Sequence, residues 1–351
     1  MKRLTSLLAA FVAILCLTAS TVPAQAASSS GLNITPRKNV TVKPGESVKD
    51  KLQISNLNGK ETLYLTLRLV DFTFTDNTGT PKLMLAQDAP QTTWSIKPFL
   101  KLSDTNVTIP AGGTKAVDYT VNVPKGQGAG SYYSAILYSA GGSDGGNVNL
   151  NASGVTLAFL SVPGVVKQDL TLKKLGAYQK AQDAPTGKFT FINTDKPKEI
   201  GFTLENKGNV AESPTGSIII KRTFSNQEIQ IDNINPNGSL ALLGQTRLFT
   251  TCFSLEEKDV TLGGTNTRIK ECGDSKLLPG RYTVSLDLIY GQNGNLTHEI
   301  SGTASFWYLP WWFILGVLGA IALIAYFVWR IVTKIRAVVK GTPYKKRSRR
   351  R

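Results

Sequence analysis

The chain has 351 residues, a formal net charge of +16, one histidine and three cysteines. One histidine and three cysteines spread along the chain do not supply the clustered nitrogen and sulfur ligands that a zinc site needs. A pI near 9.7 is typical of nucleic-acid-binding proteins, but ten of the positive charges lie in the last 22 residues and two in the first three. The remainder carries only +4, so the composition does not indicate a nucleic-acid partner.

The first 26 residues have the pattern of a secretory signal peptide. A basic start, Met-Lys-Arg, precedes an apolar stretch from Leu4 to Leu17, and Ala24-Gln25-Ala26 has the small residues of a cleavage site. Cys16 follows a leucine rather than a small residue, so it does not indicate lipidation. We therefore predict that the chain is exported and that its mature form begins at residue 27.

Residues 27–164 are predicted to form a first β-sandwich. Strand-like segments, separated by turns rich in Gly, Pro and Asn, occur at 47–56, 61–74, 114–123, 131–139 and 154–162. In 61–74, leucines alternate with Tyr, Thr and Arg, which indicates one buried and one mixed face. About seven strands at this spacing are typical of an immunoglobulin-like sandwich.

Residues 165–305 repeat the same style and are predicted to form a second sandwich. Its candidate strands are 188–193, 198–206, 216–224, 227–234, 244–253, 280–290 and 298–309. The last of them runs into the following apolar segment with little spacer, so this domain should lie close to a membrane. The fold class predicted for the exported part is all-β.

Cys252 and Cys272 are predicted to form a disulfide. They are the two cysteines left after removal of the signal peptide, and an exported compartment permits oxidation. The segment between them has the pattern of a hairpin turning at Gly263-Gly264, which would bring the cysteines together at its base. The alternative is a pair of free thiols.

Residues 306–329 are predicted to be a transmembrane helix, because no charged residue interrupts these 24 positions and about 20 apolar residues cross a bilayer. Aromatic residues that prefer the membrane interface mark both ends: Trp307, Tyr308, Trp311 and Trp312 at one, Tyr326 and Trp329 at the other. The alternative is a buried core helix.

Residues 330–351 form a basic tail with ten Lys or Arg and no Asp or Glu. The positive-inside rule places such a tail in the cytoplasm, where it would contact anionic lipid. The chain is therefore predicted to be a single-pass protein of the cell membrane with its N-terminus outside, and membrane lipid is a predicted partner through the helix and the tail.

Catalytic and metal-binding patterns are weak. His298 lies in a strand-like segment, where the adjacent Glu299 faces the opposite side and does not pair with it. Gly-Gly-Ser-Asp-Gly at 141–145 matches a nucleophile elbow only in its sequence, because a Gly- and Asn-rich loop follows where a helix is needed. Calcium ligands would have to come from Asp71, Asp76, Asn77 and Asp88. These lack the alternating spacing of a calcium loop and are better explained as turn caps. No enzyme, cofactor or metal site is predicted.

Several stretches resemble the WxL-interacting proteins, a bacterial surface family. They are TVKPGESVKDKLQISN, DFTFTDNTG, Trp94, TIPAGGTKAVDYTVNVPKGQGAGSYYSAILY, ENKGNVAESPTGSI, LPGRYTVSLDLIYG and FWYLPWW. The resemblance implies two immunoglobulin-like domains and a C-terminal membrane anchor. It further implies a first domain that contacts peptidoglycan, a second that contacts a host or matrix ligand, and WxL surface proteins as partners.

The predicted function is non-catalytic binding of cell-wall glycan, of surface protein partners or of both, with a role in adhesion. The alternative is an envelope assembly factor or chaperone that completes a partner's sheet with an edge strand. An unpaired, uncharged edge would favour the alternative, and charges and prolines along the edges would favour the first function. The candidate surface is the loop at 140–153 with the neighbouring tyrosines. Its named residues are Tyr132, Tyr133, Ser143, Asn147 and Asn149.

The charge asymmetry predicts a topology that protease can test. Protease added to intact cells should remove the exported domains and leave an epitope in the tail intact, because the basic tail lies on the cytoplasmic side. Immunoblotting of the tail epitope checks the outcome, with permeabilised cells as the control in which the epitope is lost. Cleavage of the tail epitope in intact cells would reverse the predicted orientation.

Overall fold

A computed structural model describes residues 31–86, 88–140, 153–180, 186–262, 265–291 and 298–339. The predicted signal peptide and the end of the basic tail lie outside these residues. The described part contains two β-sandwiches, each built from a four-stranded and a five-stranded sheet, followed by one α-helix. The prediction of two immunoglobulin-like sandwiches and a C-terminal apolar helix is therefore confirmed.

The first sandwich has its four-stranded sheet in the order β1, β3, β9, β7 and its five-stranded sheet in the order β2, β11, β10, β4, β8. The bounds of the first group are β1 Leu32–Ile34, β3 Ser47–Asn56, β9 Thr114–Asn122 and β7 Leu100–Leu102. Those of the second are β2 Arg37–Thr41, β11 Ser153–Val162, β10 Gly130–Ala140, β4 Leu63–Val70 and β8 Asn106–Ile109. A short hairpin, β5 Phe72–Phe74 with β6 Pro81–Leu83, extends beyond β4.

Alternating side chains build the core between these two sheets. In β4, Leu65 and Leu67 are buried, whereas Tyr64 and Thr66 are exposed, as expected for a period of two residues.

The N-terminal segment of the first sandwich passes from one sheet to the other. After β1 pairs with β3 it crosses at Thr35-Pro36, and β2 runs parallel to β11 in the opposite sheet. This crossing ties the N-terminal strand to both layers.

The second sandwich repeats the arrangement with the sheet orders β13, β12, β15, β18 and β14, β22, β21, β16, β17. The bounds are β12 Leu170–Gln179, β13 Lys188–Thr190, β14 Ile192–Asn193, β15 Glu199–Asn206, β16 Thr215–Arg222, β17 Glu228–Asp232, β18 Thr246–Cys252, β21 Gly280–Tyr290 and β22 His298–Tyr308. Again one short strand, β14, runs parallel to the last strand of the sandwich. The boundary predicted at residues 164 and 165 falls between β11 and β12.

The helix, α1, spans Trp311–Val339 and is long and apolar enough to cross a membrane, with a mean hydropathy of 2.2 in its most apolar window. The predicted span of 306–329 is corrected at both ends, since the helix starts five residues later and continues ten residues further. Phe306, Trp307 and Tyr308 belong to β22. Phe306 and Tyr308 are buried in the core of the second sandwich, so Tyr308 is not a membrane-interface residue. The aromatic residues between 306 and 312 therefore belong to two elements, the first three to β22 and Trp311 and Trp312 to α1.

The disulfide between Cys252 and Cys272 is present, with the two Cα atoms 5.1 Å apart. It closes the base of a separate hairpin, β19 Leu255–Leu262 with β20 Thr265–Cys272. Exposed ion pairs cross the hairpin, Lys258 with Glu271 and Arg268 with both Glu257 and Asp259. Such exposed pairs contribute little to stability, so the disulfide is the main constraint on this hairpin.

Replacing both Cys252 and Cys272 by serine should lower the free energy of unfolding by about 3 kcal/mol, because the closed loop restricts the unfolded chain. Chemical denaturation measures the loss, and hydrogen exchange should show reduced protection in residues 255–272. Lys258→Ala is the control, since it removes an exposed ion pair and leaves the disulfide intact. Equal stability of the double variant and the native protein would contradict the prediction.

Candidate protein-binding site

The two sandwiches meet at an apolar junction. Val70, Phe72, Tyr133 and Ala135 of the first sandwich form one buried cluster with Ala211 and Leu242 of the second. Because side chains of both domains are needed to cover the cluster, separating the sandwiches would expose apolar surface to water. The junction therefore couples the two domains.

Hydrogen bonds reinforce this junction. The Ser131 N–H donates to the Asn209 carbonyl oxygen at 3.0 Å, and the Asn209 side-chain amide donates to the Ala129 carbonyl oxygen at 3.0 Å. The Ala211 N–H donates to Ser131 Oγ at 2.9 Å. On the neighbouring side, the Leu248 N–H donates to the Asn77 carbonyl oxygen at 2.6 Å. Paired backbone groups at a buried junction avoid the cost of unsatisfied polar atoms.

Part of the same sheet surface remains partly exposed. Leu137 of β10 and Val155, Leu157 and Phe159 of β11 lie on the outer side of the five-stranded sheet, and each is half-buried beside the junction cluster. We call these four residues the β11 face. The alternate residues of β11, including Ala158 and Leu160, belong to the core. A strand that is apolar on both sides needs cover on both sides, and the second sandwich covers only part of this one.

Arg37 of β2 borders the β11 face. Its guanidinium carbon lies 5.0 Å from the centre of the Phe159 ring, its Nε donates to Asn39 Oδ1 at 2.9 Å, and its Nη1 donates to the Gly238 carbonyl oxygen at 3.4 Å. Burial lowers the pKa of the guanidinium. A small cleft of about 160 Å³ opens here between the domains, lined among others by Arg37, Phe159 and Leu240. A cation held over an aromatic ring beside apolar residues is a common feature of protein interfaces.

The edge of β11 is open next to this face. β2 pairs with residues 157–161 only, and the Leu157 N–H donates to the Pro36 carbonyl oxygen on that side. Since the direction of backbone hydrogen bonds alternates along a strand, the N–H and C=O of Val155 face the side on which no described strand is paired. Ser153, Gly154 and Val155 are all uncharged.

The unpaired stretch of β3 in the first sandwich carries charge. β3 pairs with β1 only at residues 54–56, and its free stretch contains Lys49, Asp50 and Lys51. Asp50 accepts hydrogen bonds from Lys38 Nζ at 2.9 Å and from the Tyr119 hydroxyl at 2.8 Å, and the Lys38 bond contributes most to lowering the pKa of this carboxyl. Charged residues at an edge oppose pairing with another chain. The uncharged β11 edge therefore differs from the unpaired stretch of β3.

The predicted tyrosines do not lie at the predicted loop. They sit near the start of β10, whereas the loop follows its end at Ala140, so the interpretation of Tyr132 and Tyr133 as loop neighbours is wrong. Tyr133 is 1% exposed and stacks on Trp94 with ring centres 5.7 Å apart. Tyr132 is half-buried, packs edge-to-face on Phe99, and donates its hydroxyl to the Gly128 carbonyl oxygen at 2.8 Å. Neither ring is free to stack on a ligand.

The remaining loop residues, Ser143, Asn147 and Asn149, lie outside the described residues, as does the Gly-Gly-Ser-Asp-Gly sequence. The β11 face was not predicted from the sequence. Its signal was present in the segment Gly-Val-Thr-Leu-Ala-Phe-Leu at 154–160, where both sets of alternate positions contain apolar residues. This pattern differs from the one-sided alternation of β4 and indicates a strand that is covered on both faces.

Asp71 has a structural role. Its Oδ1 accepts from Ser95 Oγ and from Ser134 Oγ, both at 2.7 Å, while its Oδ2 accepts from the Thr92 N–H at 3.1 Å and lies 3.6 Å from Lys97 Nζ. The carboxylate thereby holds the segment around Trp94 against β10.

Asp76 caps a turn, as expected from the sequence, because its Oδ1 accepts from the Thr78 N–H at 2.8 Å. Within the described residues no group of three His, Cys, Asp or Glu is arranged to hold a metal ion.

No protein-family model and no curated protein matches the chain. Solved structures that match include a chain of the chaperone–tip adhesin complex of CFA/I fimbriae biogenesis, which is 13% identical, covers 80% of this chain and 99% of its own, and has a TM-score of 0.38. Two others are the class 5 fimbrial chaperone CfaA (12% identical, 78% and 98% covered, TM-score 0.35) and the E. coli chaperone DraB (9% identical, 78% and 96% covered, TM-score 0.33). At these values the likeness carries no conclusion about function.

Glu212 is a buried acid next to the junction. Its backbone pairs with Ala241 in an isolated bridge, and the residue has no exposed surface. Burial raises the pKa of its carboxyl to about 7, although the Gln168 side chain and the Gly291 backbone act in the opposite direction. A carboxyl with a raised pKa makes the folded state bind a proton more tightly than the unfolded state. The contribution of the Glu212 carboxyl to the free energy of unfolding is therefore fully present below about pH 4.5. This contribution is lost as the pH rises through about 7.

Glu212→Gln should remove this pH dependence. Relative to the variant, the native protein should lose up to about 3 kcal/mol of unfolding free energy between pH 4.5 and pH 8, because one pKa unit corresponds to about 1.4 kcal/mol. Urea denaturation at several pH values measures the difference, and Glu228→Gln serves as the control because Glu228 lies in an exposed ion pair with Lys221. The same pH slope for native protein and Glu212→Gln would refute the assignment.

Proposed function

We propose that the protein is a non-catalytic, membrane-anchored binding protein of the bacterial cell surface that holds a protein partner on the β11 face. The observation that carries the proposal is the apolar strip of Leu137, Val155, Leu157 and Phe159 beside the domain junction. The strip continues a surface that the molecule already uses for packing its own second domain. Further apolar cover from a partner would remove more of this surface from water.

A protein partner fits this face better than a glycan. Leu137, Val155 and Leu157 are aliphatic and carry no side-chain hydrogen-bonding group, whereas sugars need polar contacts as well as ring faces. The one aromatic ring of the strip, Phe159, already has Arg37 over its face. The cores of protein interfaces are apolar, poor in charge and enriched in aromatic residues and Arg, which matches this combination. Peptidoglycan, which the family resemblance adds as a partner, would bind other surfaces of the first sandwich.

Edge-strand complementation is the second candidate, and the open edge at Ser153–Val155 favours it. The free backbone groups of Val155 could pair with an added strand, while the β11 face would receive that strand's side chains. The charged residues of the unpaired β3 stretch oppose strand addition at that position. This candidate shares the β11 face with the first proposal and differs in requiring the Val155 N–H.

The anchor in this proposal is α1, with the basic tail on the cytoplasmic side and in contact with anionic lipid. α1 exposes apolar side chains along its length, and none of its residues is buried by the sandwiches. An exposed apolar helix of this length is suited to a bilayer rather than to water. The resemblance to WxL-interacting proteins adds surface WxL proteins as the partner class to examine first.

The experiment compares native full-length protein with Leu157→Asp, Val155→Pro, Val155→Ala and Tyr64→Asp for binding to envelope protein extracts and to isolated cell wall of the source cells. Leu157→Asp should weaken retention of a specific envelope protein at least tenfold, because it places a charge in the apolar strip. Tyr64→Asp is the matched control, since Tyr64 is an exposed apolar residue on the same side of the sheet but on β4. Thermal unfolding confirms that each variant is folded.

Val155→Pro and Val155→Ala together separate the two candidates, because both change the Val155 side chain but only the proline removes the outward N–H, at an edge position where proline is tolerated. Loss of binding with Val155→Pro but not with Val155→Ala supports strand addition, and equal binding by the two variants supports side-chain docking. Equal retention by native protein and Leu157→Asp would refute the β11 face as the site. Retention on cell wall alone would replace the protein partner by glycan, and hydrolysis of wall material would require an enzyme.

A further inference from the structure

The end of the second sandwich from which α1 leaves lies next to any membrane that α1 crosses. β22 ends at Tyr308 and α1 begins at Trp311, so only Leu309 and Pro310 separate them. Two residues extend over about 7 Å at most. The domain junction around Asn209 lies at the other end of β15 from this point, since β15 begins at Glu199 and ends at Asn206. The sandwich therefore has one end toward the first domain and one toward the bilayer.

Strand register places three chain segments in a row along this end. Ile192 is opposite Trp307, Gly280 is opposite Tyr308, and the Thr223 N–H donates to the Arg281 carbonyl oxygen. Because neighbouring strands lie about 4.8 Å apart, the row of strand ends across this five-stranded sheet is about 20 Å long. The start of α1 lies within the row.

Exposed apolar residues are concentrated at the same end. Outside α1, the described residues include nine large exposed hydrophobic residues. Five of them are in or beside this row, and each is more than half exposed: Phe191, Ile192, Phe224, Leu255 and Leu278. Leu255 belongs to this end because it follows Cys252, whose strand partner is Glu199 at the start of β15. Scattered single apolar residues need no explanation, but a cluster at one end marks a contact surface.

Phe224 is the most unusual of these residues. It has a positive φ of 59°, a conformation that bulky side chains rarely adopt, and its ring is fully exposed. Neither the backbone conformation nor packing within the chain favours an aromatic residue here. An outlier of this kind points to a function outside the fold.

Basic residues surround the apolar row. Four exposed lysines, Lys180, Lys188, Lys196 and Lys198, line a cleft of about 450 Å³ at this end together with Asp195 and Glu199. Lys198 is paired with Asp274 at 3.2 Å. Lysine side chains beside apolar residues match the layering of a bilayer surface, where phosphate groups lie above the acyl chains.

We propose that this end of the second sandwich is a peripheral membrane-contact surface, in which Phe224, Leu278, Phe191 and Ile192 enter the lipid interface and the lysines contact headgroup phosphates. This membrane-contact proposal rests on the proposed function only in requiring that α1 spans the bilayer. The contact would hold the sandwich upright on the membrane and present the first domain away from it. The lipid is recognised by surface chemistry, anionic headgroups over an apolar layer, rather than by a closed pocket.

Spin labels on single introduced cysteines test the contact in full-length protein reconstituted into vesicles that contain phosphatidylglycerol, with the native disulfide intact. Labels at Phe224→Cys and Leu278→Cys report the proposed surface, and a label at Leu318→Cys reports α1. Val165→Cys is the matched control, because Val165 is fully exposed, like Phe224, but lies in the segment between the two sandwiches. Collision rates with oxygen and with a water-soluble nickel chelate measure immersion in lipid.

The ratio of oxygen to nickel collisions should be several-fold higher at positions 224 and 278 than at 165, and highest at 318. Two positions keep the test decisive if one variant does not fold. Ratios at 224 and 278 equal to that at 165, with 318 immersed, would overturn the membrane-contact surface and leave the anchor in place. An aqueous value at 318 would overturn the anchor itself, and the contact surface with it.

Discussion

Tyr133 lies where the two sandwiches meet, with its ring against Phe72 and Trp94 of the first domain and in one cluster with Ala211 and Leu242 of the second. Much of the molecule depends on this contact. The part of the outer side around Val70 and Tyr133 is too apolar to face water, and the second sandwich covers it. Asp71 positions the Trp94 segment on the same surface, and the hydrogen bonds of Asn209 hold the domains at one relative position.

The incomplete cover explains where a partner is expected. The second domain reaches the part of β11 near Phe159, while the part near Val155 continues beyond it and has none of the described strands paired on one side. The position of the crossing between the sheets leaves residues 153–155 unpaired with the N-terminal segment, because that segment pairs with β3 as β1 and joins β11 only from Arg37, opposite Leu157. In the proposed function, partner binding and domain packing would therefore use one continuous surface.

The other end of the molecule combines a sheet and a helix within a few residues. Phe306 and Tyr308 fill the core of the second sandwich, and three residues after Tyr308 the chain is helical. Such a short connection would keep the sandwich close to any bilayer that α1 crosses. A membrane at that end would remove the exposed apolar residues of the sandwich from water.

The sequence by itself determined the elements whose signals are local. Alternating leucines in β4, the turns between strands, the two cysteines 20 residues apart and the long uncharged stretch after Pro310 were sufficient to predict two sandwiches, the disulfide and an apolar helix. The start of the helix was predicted five residues too early, because aromatic residues are favoured both at a membrane interface and in a strand core. Only packing against the rest of the sheet separates these two environments.

The tertiary structure decided the candidate site. The tyrosines were assigned to the loop after β10 because they are near it in sequence, but an extended strand carries them to its opposite end, where Tyr133 is covered by residues about 80 and 110 positions further along the chain. Which side of β11 is covered, and how far β2 follows it, depends on contacts between distant segments. No local pattern contains that information, since the same apolar alternation would suit a core, a domain junction or a partner surface.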